Sequence, residues 1–274
     1  MSGVLSIRLF SLFSCLIIII IIFISKANSD STGLVCGNTA VSRANSNYTK
    51  NLNTLLNTLT SNTKINYGFY YSSYGQNTDR VNAIGLCRGD IKPEKCRGCL
   101  EQVKDNLTRL CPHSKEATGW FHDETCMLRY SDSAIYGQLA LLPMYYSVEE
   151  KNTTEVDKFQ EVLINLLQNL KSQAAFGDSR RKYSVGSAVG PRNITIYGFV
   201  QCTPDLSEKD CDDCLFESIS LLPICCVDKV GARVNRASCL LRYNTSIFYD
   251  PSTPALSPLP QEVPSSPAPL PQGT

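Results

Sequence analysis

Two leucine sets, Leu52, Leu55, Leu56, Leu59 and Leu163, Leu166, Leu167, Leu170, share the spacing i, i+3, i+4, i+7. That spacing lines four apolar side chains along one face of a helix, so a helix is predicted at each. A second, shorter helix is predicted after Cys99, with Leu100, Val103, Leu107 and Leu110 turned inward. Its counterpart runs from Leu215 until Pro223, which lacks the amide proton a helix interior needs, stops it. Ile194 to Gln201 and Ser238 to Tyr243 read as strands. The pattern is an α+β one, with helices on one face of an antiparallel sheet.

The cysteines show that this unit occurs twice. Cys87, Cys96 and Cys99 are spaced C-x8-C-x2-C, and Cys202, Cys211 and Cys214 repeat the spacing 115 residues later. Cys111 maps in the same way onto Cys226, beside Cys225. Cys126-Met-Leu-Arg-Tyr130 matches Cys239-Leu-Leu-Arg-Tyr243 after a two-residue deletion. Self-similarity of this kind means two copies of one module rather than one large domain. The first module is assigned to residues 30–143, a polar linker to 144–156 and the second module to 157–250. Residues 251–274 hold eight of the chain's 14 prolines among serines and small residues, the composition of an extended, solvated tail without a core.

Residues 1–29 have the form of a secretory leader. Arg8 precedes an apolar run from Leu9 to Ile24, and Ala27 and Ser29 stand at −3 and −1 to a cut before Asp30. The alternative, an uncleaved anchor, is short at 16 apolar residues against the roughly 20 of a spanning helix. Cleavage would remove Cys15 from the 13 cysteines and leave an even number. An oxidising compartment and a disulfide framework follow. Sequons at Asn47, Asn106, Asn152, Asn193 and Asn244 fit a secreted glycoprotein. The 26 basic and 25 acidic residues give no support to nucleic-acid binding, which calls for a basic face. No apolar run follows the proline-rich tail, so no membrane span is expected in the mature chain as given.

The doubled C-x8-C-x2-C with a following leucine, and the C-x-L-R-Y near each module's end, resemble plant cysteine-rich repeat secretory proteins and the extracellular part of cysteine-rich receptor-like kinases. Their module is named after the seed antifungal lectin ginkbilobin-2. The resemblance covers about Gly33 to Tyr249. It implies, per module, two helices packed on a five-stranded antiparallel sheet and stapled by disulfides. Carried over, it pairs Cys36 with Cys111, Cys87 with Cys96, Cys99 with Cys126, Cys202 with Cys211, and Cys214 with Cys239. Cys225 and Cys226 then remain, and parity points to a vicinal disulfide, although spacing alone fixes no connectivity. A ring that tight is expected to be easily reduced, which mapping either cysteine to another partner would refute.

Catalytic and metal chemistry find little footing. Each module has one C-x2-C knuckle, whereas structural zinc sites pair two at short range, and neither His113 nor His122 lies at ligand spacing. His122-Asp123 has no nucleophile elbow beside it and no counterpart in the second repeat. No glycine-rich phosphate loop or catalytic-loop signature is present, so no kinase activity is assigned. No enzyme and no cofactor are expected.

The resemblance also implies a sugar site. In the ginkbilobin lectin, mannose is held by an asparagine after the first cysteine, an arginine six residues before the last, and a glutamate five residues after it. An amide, a guanidinium fork and a carboxylate offer the donors and acceptors that sugar hydroxyls need. The first module has Gly37, Trp120 and Ser131 at those positions, and none matches. The second keeps Arg233, with Asn244 in place of the carboxylate. Arg233 and Asn244 are therefore the candidate carbohydrate-binding residues, and a buried or loop-anchoring arginine is the competing reading of Arg233. The function expected is that of a secreted, apoplastic, non-enzymatic binding protein in defence or stress signalling, with a glycan or a receptor ectodomain as partner. The alternatives are a mannose-type antifungal lectin and a receptor-like kinase truncated before its membrane helix.

Overall fold

The computed structural model describes residues 33–37, 42–43, 46–64, 67–121 and 124–251. Residues 1–29, read above as a leader, and all of the proline-rich tail but Pro251 lie outside them, as do His122 and Asp123. The described residues from Leu34 to Pro251 fall in one compact unit. Its first module runs β1 (Gly33–Cys36), α1 (Asn47–Thr60), β2 (Phe69–Tyr74), β3 (Val81–Cys87), α2 (Pro93–Leu110), β4 (Ala117–Trp120) and β5 (Cys126–Ser131). The second repeats the order with β6 (Met144–Val148), α3 (Val156–Phe176), β7 (Tyr183–Val189), β8 (Thr195–Cys202), α4 (Glu208–Cys225), β9 (Gly231–Arg236) and β10 (Cys239–Asn244). The sheets are ordered β1-β4-β5-β3-β2 and β6-β9-β10-β8-β7, so corresponding strands occupy corresponding places.

Three of the four helices have a local start signal. In α1 the Ser46 hydroxyl accepts from the Thr49 amide at 3.2 Å, satisfying a donor that the first turn leaves open. Leu52, Leu55, Leu56 and Leu59 are buried on its sheet-facing side. Ser207 caps α4 in the same way, accepting from the Asp210 amide at 3.0 Å. Pro93 opens α2, where its missing amide proton costs nothing.

Alternation along the central strands builds three cores. On β3, Ala83 and Cys87 face α1 and α2, while Ile84 and Leu86 point the other way. On β8, Ile196, Val200 and Cys202 face α3 and α4, and Phe199 points away. The outward residues of the two sheets meet in a core of their own, made of Phe69, Ile84, Leu86, Trp120, Met127, Ile135, Tyr183, Phe199 and Leu240. The layers are thus helix pair, sheet, sheet, helix pair. Fully burying each of these large apolar side chains contributes about 1.5–3 kcal/mol.

Disulfides tie helices to strands. Cys87–Cys96 and Cys99–Cys126 join α2 to β3 and β5, and Cys202–Cys211 and Cys214–Cys239 make the same two ties from α4. Cys36–Cys111 joins β1 to the end of α2. The second module has Cys225–Cys226 at the end of α4 instead. There, backbone bonds from Glu149 to Gly231 and from Val230 to Lys151 hold the segment after β6.

The structure departs from the sequence expectation at four places. Met144–Val148, assigned to the linker, is the edge strand of the second sheet, pairing with β9 from Met144↔Arg236 to Val148↔Ala232. Its Tyr-Tyr pair is strand-forming, and only the polar residues after it belong to the connection. Helices α2 and α4 begin before their C-x2-C pairs rather than after them, because both cysteines of each pair sit on the buried helix face. Leu110 is 42% exposed at the end of α2 rather than inward. Pro223 lies inside α4 two residues before its end, so it forfeits one amide bond to the preceding turn without stopping the helix there.

Candidate functional site

The repeated C-x-L-R-Y segment gives each residue type a fixed task. Its cysteine staples β5 or β10 to a helix, and Leu128 or Leu241 fills the module core. The tyrosine reaches across that core to anchor the loop after the helix: Tyr130 Oη donates to Ser114 O at 3.3 Å, and Tyr243 Oη to Lys229 O and Cys226 O at 3.2 Å. Burial holds both phenols well above the usual tyrosine range. The arginine lies on the opposite face. Arg129 Nη2 bonds Glu116 Oε1 at 3.1 Å within its module, whereas Arg242 is turned to the other module.

Arg242 Nη1 donates to Glu124 Oε2 at 3.0 Å. Arg233, opposite Arg242 in the β9–β10 register, places Nη1 2.9 Å from Glu124 Oε1. One carboxylate of the first module is thus clamped between two guanidinium groups of the second. Glu124 is 1% exposed and has a φ of 56°, a left-handed conformation uncommon for a residue with a side chain. Burial raises its pKa, and the guanidinium groups of Arg233, Arg242 and Arg88 pull against that rise. The Phe248 ring stacks under Arg242, its centroid 4.2 Å from the guanidinium carbon.

Further polar bonds cross the same junction. Gln201 Nε2 donates to Cys87 O at 3.2 Å, and Arg181 Nη1 to Gly89 O at 3.2 Å. The buried Arg88–Asp90 pair closes at 2.6 Å, and Asp90 Oδ2 also accepts the Asp250 amide at 3.0 Å. Asp250 follows the last strand, so the end of the second module is fastened to the first.

The two candidate sugar-binding residues lie on one face of the second sheet but serve different partners. Arg233 is committed to Glu124. Asn244 donates from Nδ2 to Glu149 Oε1 at 3.0 Å and accepts at Oδ1 from the Ser246 amide at 2.9 Å. Of the first module's corresponding positions, Trp120 is buried in the core between the sheets. Ser131 Oγ accepts from the Ser133 amide, and the Gly37 amide donates to Glu116 O. Glu124 itself, the residue that unites the cluster, carries no sequence signal, since its partners stand 109 and 118 positions away.

Each C-x2-C pair is divided between two disulfides, leaving no thiolate to ligate a metal. Among the sequons, Asn47, Asn152 and Asn193 are exposed, Asn193 at the tip of the β7–β8 hairpin. Asn106 lies within α2 with Oδ1 accepting from Arg109 Nη2 at 3.0 Å. On the solvent side of α1 and α2 a recess of about 430 Å³ is lined by Asn57, Thr58, Thr60, Ser61 and Glu101. Lys104 bonds both Glu101 and Asn57 there, and its hydrogen bond holds the Glu101 carboxyl below the usual range.

A family model described as salt stress response/antifungal matches the chain twice, over residues 35–133 and 146–246. Cysteine-rich receptor-like protein kinase 26 of Arabidopsis thaliana is 38% identical over 232 residues, 84% of this chain and 35% of the kinase. Cysteine-rich receptor-like protein kinase 28 of the same plant is 38% identical over 264 residues, 91% of this chain and 38% of the kinase. The chain therefore spans about a third of the length of these relatives. The crystal structure of the tandem DUF26 ectodomain of the Arabidopsis thaliana cysteine-rich receptor-like protein PDLP8 superposes with a TM-score of 0.67 at 26% identity. It covers 78% of this chain and 97% of that one. The corresponding PDLP5 ectodomain gives 0.60 at 25% identity, covering 77% of this chain and 97% of that one. Among the described residues, no helix is long and apolar enough to cross a membrane.

Proposed function

Because the chain belongs to the salt stress response/antifungal family, in which it carries two modules in tandem, we propose that it is an extracellular, glycosylated recognition protein without catalysis. It presents the surfaces of both modules together to a protein partner at the plant cell surface. The observation that carries this reading is the junction. A shared apolar core and the Arg233–Glu124–Arg242 clamp join the modules, so residues on both keep a fixed geometry towards a ligand. A preorganised surface of this kind loses less freedom on binding than two modules on a loose tether.

The same clamp favours a protein ligand over mannose. A sugar reaching Arg233 would have to compete with a buried carboxylate at 2.9 Å, and would meet Asn244 already hydrogen-bonded to Glu149. The test is expression of the full chain with its leader in leaf tissue, recovery from the apoplastic wash, and display against plant receptor ectodomains and a glycan array. The expected result is secretion, with saturable binding to an ectodomain and none to mannose glycans. Retention inside the cell, or binding to mannose glycans alone, would contradict the reading.

A further inference from the structure

The two modules share a fold but differ sharply at one equivalent place, the solvent-facing side of α2 and α4. The 115-residue cysteine offset maps Glu101, Asp105, Thr108 and Arg109 of α2 onto Phe216, Ser220, Pro223 and Ile224 of α4. The leucine sets, 111 residues apart, map Asn53 of α1 onto Ile164 of α3. In the first module these positions are polar or charged, and Glu101 also lines the recess between α1 and α2. In the second this side carries an apolar strip: Phe216 is 50% exposed, Ile224 81% and Val227, just past the helix end, 44%. The first module folds with Glu and Arg at these positions, so the fold does not require apolar residues there. Exposed apolar side chains grouped on one helix face mark an interaction surface.

The strip lies on the solvent side of α4, next to the side on which α3 packs, where Lys171 pairs with Asp212 and Gln160 Nε2 bonds Val227 O at 2.8 Å. Charge differs between the modules in the same sense. Helix α2 has three carboxylates against four cations, whereas α4 has five carboxylates against one lysine. Glu161 on α3 and Glu217 on α4 are exposed. An apolar strip in an acidic frame suits a partner with apolar side chains on one face and basic residues beside them.

On the reading that this is a recognition protein, we propose that the solvent-facing side of α4 in the second module is a docking surface for a basic amphipathic segment of a protein partner. Burial of Phe216 and Ile224 supplies the anchors, and the carboxylates select basic over acidic partners. The polar face of α2 in the first module takes no part in this contact.

The test titrates the full secreted chain, by fluorescence anisotropy, with three labelled peptides. These are a leucine–lysine peptide patterned at helical period, its leucine–glutamate counterpart, and a leucine–lysine peptide of scrambled order. The variant is Phe216→Glu with Ile224→Arg, which installs the first module's own residues, and Ile224→Arg alone is a second variant at a largely exposed position. The patterned leucine–lysine peptide is expected to bind the wild type at least about tenfold more tightly than either control, and to lose about tenfold in both variants. Equal binding by wild type and variants, equal binding of the scrambled peptide, or no binding would overturn the proposal. So would self-association in sedimentation velocity that disappears in the variants, since it would assign the strip to a second copy. Receptor-ectodomain binding that survives in the variants would leave the recognition role standing and remove only this docking surface.

Discussion

Glu124 and Arg242, 118 residues apart, meet at 3.0 Å across the junction of the two modules, and Arg233 completes the clamp from the neighbouring strand. Removing one partner of a buried ion pair leaves the others desolvated and uncompensated, which costs about 3–5 kcal/mol. Glu124→Ala is therefore expected to lower the unfolding free energy by about that much in denaturant titration. Arg233→Ala should cost less, because its side chain keeps 23% of its exposure and water solvates what the partner loses. A loss for Glu124→Ala within about 0.5 kcal/mol of zero would contradict a structural role for the clamp.

Packing at the junction has its own test. A Cβ on Gly89 would stand 2.5 Å from Cγ of the Tyr183 ring, in the core between the sheets. Gly89→Ala is expected to destabilise by about 1–3 kcal/mol through overpacking. Gly98, inside α2, has nothing within 4 Å of a new Cβ, so Gly98→Ala should stabilise by about 0.5–1 kcal/mol. Opposite signs in thermal denaturation are the expected outcome, and equal signs would contradict the packing described.

Mannose and mannan oligosaccharides titrated calorimetrically into the deglycosylated protein are expected to give no heat of binding. Arg233 and Asn244 are occupied by Glu124 and Glu149. Saturable heat lost in Arg233→Ala, with stability corrected for, would show that the sugar displaces Glu124.

The sequons divide by what their side-chain nitrogen already does. Asn193 is exposed at a hairpin tip, whereas Asn244 Nδ2 donates to Glu149 in a space that Gly231 keeps open. Glycopeptide mass spectrometry should find Asn193 occupied and Asn244 bare. The reverse pattern would mean that the Asn244–Glu149 bond is dispensable.

Much of this was legible in the sequence because the signals were local or repeated. The leucine stripes gave α1 and α3, and the doubled cysteine spacing gave two modules of one fold. The edge strand Met144–Val148 was hidden by the polar residues beside it, and its partner Gly231–Arg236 lies nearly ninety positions on. The face-to-face packing of the sheets left a trace that periodicity alone does not decode. Segments such as Asn82–Cys87 and Cys126–Tyr130 are buried on both faces, so polar residues do not alternate along them as they would on a half-exposed strand. Glu124 was beyond reach, because a lone carboxylate in a loop becomes meaningful only once the fold brings two arginines to it.

The claim on which the rest depends is that the two modules act as one body. Differential scanning calorimetry of the full disulfide-bonded chain tests it directly. A single transition whose calorimetric and van't Hoff enthalpies agree is the predicted result, since unfolding either module would expose the shared core of Trp120, Met127, Tyr183 and Phe199. Two separate transitions, unchanged by Glu124→Ala, would contradict it.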